Sequence, residues 1–160
     1  MQAGASFISL EWTRPLSKTR VMANPSSLRG QFVSFRDAEV ENVPPGKVHH
    51  WYCKPGRMPD TNLLLVRAQL EPGAAHRFHY HPNLEEILFI LSGKAEQWVE
   101  RENRIIGPGD SVHLPAGIIH GTYNVGAEPL DFLAILAPAK SDGPMTIEVS
   151  DQEPWSSLRL

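Results

Sequence analysis

From Pro44 onward, prolines and glycines cut this chain into short pieces, and the pieces read as strands. The 160 residues include 14 prolines and 12 glycines. Pro72-Gly73, Ser92-Gly93, Pro108-Gly109 and Ala116-Gly117 separate brief runs rich in Val, Ile, Leu, Phe and Tyr. The runs place strands near residues 47–53, 62–70, 75–81, 85–91, 94–101, 103–106, 110–115, 119–125, 130–137 and 145–149. Many short strands at this spacing predict an all-β sandwich or barrel. No long window carries a helical period.

The length suits one domain with a real core. Residues 46–150 are expected to form it, after an N-terminal extension or arm over 1–45 and before a polar C-terminal tail over 151–160 that Trp155 tacks down. The first 45 residues offer material for a short helix, an edge strand or an arm to a partner subunit. Net charge is −3 with both signs interspersed, which predicts no nucleic-acid partner and no anionic membrane surface. The longest apolar runs, Ile87–Leu91 and Phe132–Ala137, are too short to span a bilayer. A single cysteine, Cys53, excludes an internal disulfide framework and fits a reducing, cytoplasmic compartment. Arg14, Lys18, Arg20 and Arg29 lie in an acid-free stretch weakly like a transit peptide. The simpler reading is an extension before the fold, or initiation at Met22.

Alternation assigns faces, since residues two apart in a strand share one. His79 and His81 point together, Glu86 points with Leu88 and Ile90, and His120 points with Thr122 and Asn124. Glu96, Trp98 and Glu100 form the charged side of their strand, which places Gln97 inside. An inward glutamine needs a hydrogen-bond partner. Three imidazoles and one carboxylate (His79, His81, Glu86, His120) drawn to one point would bind a divalent metal. Leu88, Ile90, Gln97 and Thr122 are the candidate pocket lining. Glu85 competes with Glu86 if the register slips by one residue. His76 lacks the parity of His79 and reads as a rim residue. His113 reads as facing outward. His49, His50 and Trp51 read as an edge strand, with a rim or lid role as the alternative.

The stretches that carry these residues resemble the two signature motifs of the cupin superfamily. Gly73, His79, His81, Glu86 and Gly93 fill the first, with gaps of five, one, four and six residues. Gly109, Pro115, Gly117, His120 and Asn124 fill the second, with gaps of five, one, two and three. The resemblance spans roughly residues 60–137. It implies a double-stranded β-helix, the small jelly-roll barrel of compact bacterial-type members. It also implies one metal inside the barrel on His79, His81, Glu86 and His120, and a homodimer.

Imidazole suits iron, nickel, copper and zinc, and the carboxylate adds affinity for manganese. Iron is the first expectation. Without a thiolate, a closed structural zinc site is disfavoured. Four ligands on an octahedral ion leave two positions for a small-molecule substrate, alone or with dioxygen. The expected function is therefore a metal-dependent small-molecule enzyme, first a dioxygenase-type oxidoreductase. The alternatives are a redox-neutral isomerase, decarboxylase or lyase, and a non-catalytic metabolite- or sugar-binding protein. No general base announces itself in the motifs. Because ligand histidines must be deprotonated, metal loss is expected below roughly pH 5–6.

Overall fold

The structure, a computed structural model, describes residues 30–159. A 3-10 turn at Phe35–Asp37 leads into strands β1 (Glu39–Val43), β2 (Lys47–Cys53), β3 (Leu64–Leu70), β4 (Ala75–Tyr80) and β5 (Glu85–Ser92). Then follow β6 (Ala95–Val99), β7 (Glu102–Ile106), β8 (Ser111–Leu114), β9 (His120–Asn124), β10 (Leu130–Ala137) and β11 (Ile147–Glu148). A one-turn helix, α1 (Trp155–Leu158), closes the described chain. No helix among the described residues is long and apolar enough to cross a membrane.

The strands form two antiparallel sheets, ordered β1-β2-β3-β10-β5-β8 and β11-β4-β9-β6-β7. This is the expected double-stranded β-helix. Period-2 burial explains it locally. In β3, Leu64, Val66, Ala68 and Leu70 face inward; in β5, Glu86, Leu88 and Ile90 do so. The apolar residues among them meet Phe132, Ala134 and Leu136 of β10 in one core between the sheets. The edge strand offered by the first 45 residues exists: β1 pairs with β2 along all of its length, so the sheet begins before residue 46. The readings that fall on residues 1–29 lie outside the described residues.

A second cluster covers the outer face of the smaller sheet. Phe78, Trp98 and Tyr123 meet Val149 and Trp155 there. Ring centroids lie 5.5 Å apart for Phe78–Trp98 and 5.6 Å for Phe78–Trp155. Trp98 thus sits on the outer face of its strand, as its charged neighbours suggested, yet is buried because the tail folds over it. Arg159 stacks 4.1 Å from the Tyr123 ring and bonds Glu96 at 2.7 Å. Central strand β9 is consequently buried at all five positions.

The motif glycines hold turns. Gly93 has φ +87°, and a Cβ there would lie 2.8 Å from both Leu130 Cα and Pro129 O. The β5–β6 turn can approach the start of β10 only with no side chain at that point. Gly117 donates its N–H to His81 O at 2.9 Å, tying the turn before β9 to the end of β4. Asn124 Nδ2 donates to Leu70 O and Glu128 O, and its Oδ1 accepts from Gly126 N. That last motif residue ties turns together.

Candidate metal centre

His79 lies near the end of β4, with His81 just beyond it. His120 opens β9 directly opposite His79 in the register. Glu86 enters from β5 in the other sheet. One nitrogen or oxygen from each of the four lies within 4.8 Å of every other, and all four residues are buried. Glu85 points outward and pairs with exposed His113 at 3.0 Å, so the register presents Glu86 to the interior.

Each imidazole is anchored the same way. His79 Nδ1 donates to Arg77 O at 2.6 Å, His81 Nδ1 to Met145 O at 2.7 Å, and His120 Nδ1 to Ile118 O at 3.0 Å. A carbonyl can only accept, so each Nδ1 carries the hydrogen and each Nε2 of a neutral ring keeps its lone pair. Glu86 Oε2 lies 3.0 Å from His120 Nε2 and 3.3 Å from His81 Nε2. Yet Glu86 Oε2 and His120 Nε2 are both buried without a hydrogen bond. Two lone-pair atoms this close repel each other unless a cation lies between them. The donor set fits a divalent ion, and the group could hold one.

The titration behaviour follows. Burial pulls His79 down to about 4, and the neighbouring His120 adds to the shift. Burial also works against charge on Glu86, but contacts with His120 and His81 outweigh it and hold the carboxyl well below its usual range. For His81 burial is likewise outweighed, by Glu86, and the ring is raised above the ordinary imidazole value.

A cavity of about 410 Å³ opens beside these four residues. Its carbon wall comes from Trp51, Leu64, Val66, Ala134 and Leu136 on β2, β3 and β10. The four expected lining residues lie elsewhere. Leu88 and Ile90 are in the closed core, because each inward step along β5 carries the chain about 7 Å away from Glu86. Thr122 Oγ1 donates to Gln97 Oε1 at 2.7 Å, which supplies the partner the inward glutamine required. Gln97 borders a separate depression along β6, β7 and β8.

His76 and His49, which the sequence reading set at the periphery, both line the cavity. The cause at His76 is a bulge: the register between β4 and β9 shifts between His76 and His79. Three residues on β4 thus span two on β9, and His76 turns to the side of His79 although their numbering has opposite parity. Nothing in the sequence marks that bulge. His49 and Trp51 face the cavity, while His50 between them turns to Gln69, at 3.2 Å, and Phe35.

Residues 66–136 match the family described as the cupin domain. Two curated relatives each match less than half of the chain. Dimethylsulfoniopropionate lyase DddQ of Ruegeria pomeroyi is 39% identical over 75 residues, 44% of this chain and 37% of its own. Oxalate decarboxylase OxdC of Bacillus subtilis is 38% identical over 71 residues, 41% of this chain and 18% of its own. The chain therefore spans about a third or less of their lengths. Among solved structures, the polyketide cyclase RemF from Streptomyces resistomycificus shares the fold with TM-score 0.64 at 20% identity, over 81% of this chain and 99% of that one. Both motifs stand on the strands and turns they require, the family match covers them, and residues 66–136 form a cupin domain.

Proposed function

We propose that the protein is a metal-dependent enzyme acting on a small organic molecule, with the ion held by His79, His81, Glu86 and His120. One observation carries this reading: a buried donor set of three imidazoles and one carboxylate, its lone pairs converging, stands at the wall of a cavity large enough for a substrate. A divalent transition ion there, iron first and otherwise manganese, nickel, zinc or copper, would supply Lewis-acid polarisation of an oxygen ligand and, if redox-active, chemistry with dioxygen. The chain does the rest. Backbone carbonyls fix the three imidazoles, and Leu64, Val66 and Leu136 exclude water.

Two branches share this centre. A dioxygenase-type oxidoreductase, the first reading of the sequence, needs open positions on the ion. A redox-neutral isomerase, decarboxylase or lyase needs a proton acceptor as well. His76 supports the second branch: it is a neutral imidazole in the cavity, 6.3 Å from His79 between ring centroids. The names of the lyase and decarboxylase relatives support it too. Purified protein would be analysed for its metal, then loaded and offered diketones, catechols, hydroxy acids and thiols with and without air. Product formed anaerobically carries the redox-neutral reading. Turnover with oxygen uptake carries the dioxygenase. Tight binding without consumption of any ligand leaves a binding protein and ends both.

Assembly and location belong to the same proposal. Ile87, Phe89 and Leu91 are exposed along one face of β5, and the cross-strand partners of Ile87 and Phe89 are half-buried Ile135 and Leu133. Such a strip supports a homodimer. The lone free thiol of Cys53 supports a cytoplasmic setting.

A further inference from the structure

The cavity beside the ligands has two unlike walls. One is carbon, from Trp51, Leu64, Val66 and Leu136. The other is a pair of imidazoles. His76 Nε2 lies 3.1 Å from His49 Nε2, so one of them donates. His49 Nδ1 lies 3.6 Å from Glu41 Oε2, an oxygen that also accepts from Trp51 Nε1 at 2.8 Å. A carboxylate beside Nδ1 favours the tautomer with hydrogen there. His49 Nε2 is then the acceptor, and His76 Nε2–H donates to it. This leaves His76 Nδ1 as a lone-pair acceptor with no hydrogen-bond partner among the described residues. That atom is not one of the sealed orphan atoms of the interior, and its residue lines the cavity. Burial, then the charges of His49, His79 and Lys47, keep His76 neutral well below the ordinary imidazole value.

Charge at the cavity also selects. Apart from Glu86, the charged lining residues are Glu41, Glu148 and Lys47, two carboxylates against one ammonium. A small dianion would meet repulsion there and would leave the carbon wall bare.

Resting on the metal-centre reading above, we propose that the cavity is built for an amphiphilic chelator. Such a ligand has a two-oxygen head for the ion, a hydrogen-bond donor beside the head for His76 Nδ1, and an aromatic or alkyl body for the Trp51–Leu64–Val66–Leu136 wall. Small dicarboxylates are poor ligands of this cavity.

Hydroxamates test each part. Acetohydroxamate and 2-naphthohydroxamate chelate through the same two oxygens and share an N–H donor, but differ in body. N-methylacetohydroxamate lacks the donor, and oxalate lacks both donor and body. The probes would be titrated calorimetrically into the full chain after its metal content is measured. The naphthyl compound is expected to bind about 30-fold tighter than acetohydroxamate, from burial of its rings, and oxalate weakest. Trp51→Ala should erase most of the naphthyl advantage and leave acetohydroxamate unchanged. His76→Phe should weaken acetohydroxamate about 10-fold, the loss of one buried hydrogen bond, with N-methylacetohydroxamate unchanged. Equal binding of the two body sizes, oxalate as the tightest ligand, or equal weakening of the N–H and N-methyl probes by His76→Phe would each overturn the assignment. Failure of the metal reading is seen separately: the protein then takes up no ion, and the ligand assignment falls with it.

Discussion

His120 Nε2 and Glu86 Oε2 face each other at 3.0 Å with no hydrogen bond between them. That contact makes His120→Ala the sharpest single-residue test. The variant should retain about a tenth or less of the wild-type metal while keeping its β-sheet circular dichroism. Unchanged metal content would remove His120 from the ligand set. Acid acts on the same atoms. His81, raised by Glu86, takes a proton early as pH falls, whereas His79 at about 4 resists it. Metal should therefore be released as pH drops through roughly 6.5 to 5, read by elemental analysis after dialysis. Full retention at pH 4.5 would contradict this. Stability of the metal-free protein carries both signs. The folded pKa of His79 lies below its ordinary 6.5, so the unfolded chain binds that proton first. Its contribution is lost from pH 6.5 down to 4, by up to about 3 kcal/mol. The raised His81 contributes stability that is present below 6.5 and lost as pH rises through its folded value. Denaturant titration of metal-free His79→Asn against wild type isolates the first effect, and an unaltered pH slope would refute it.

Turns and bulges decide how the strands present these atoms. Gly93→Ala forces a Cβ to within 2.8 Å of backbone atoms at φ +87°. Gly109→Ala meets nothing within 4 Å at φ +91°. The first should cost about 3 kcal/mol and the second about 1 kcal/mol, the cost of the left-handed conformation alone. Urea midpoints compare the two, and equal losses would show that the close approach of the β5–β6 turn to β10 carries no weight. The tail offers a second element-scale test. Trp155 packs on Phe78, whose neighbours His79 and Arg77 belong to β4. Trp155→Ala should destabilise the fold by about 2–4 kcal/mol, read by thermal or urea unfolding. A loss below about 0.5 kcal/mol would mean that the tail is not integral to the smaller sheet. Alternation put His79, His81, Glu86 and His120 on the inward faces where the structure has them but misplaced His76, because a bulge adds one residue without leaving a mark in composition.

At the scale of the whole molecule, the outer face of the larger sheet is the unfinished surface. Ile87, Phe89 and Leu91 lie exposed on it. Phe89→Glu should shift sedimentation from dimer to monomer and leave metal content unchanged, since Phe89 points away from Glu86's side of β5. A wild-type protein that sediments as a monomer at micromolar concentration would dispose of the dimer.

The all-β class, nearly all the strands and the four converging donors were legible in the order of residues. Turn residues and period-2 alternation are local, and their physics acts over a few neighbouring positions. Folding in three dimensions settled the rest: where the cavity opens, that β3 and β10 supply its carbon wall, that Gln97 and Thr122 satisfy each other, and that His49 and His76 face the interior. Those outcomes depend on which strands lie side by side and where a ladder slips by one residue, and long-range pairing energy sets both.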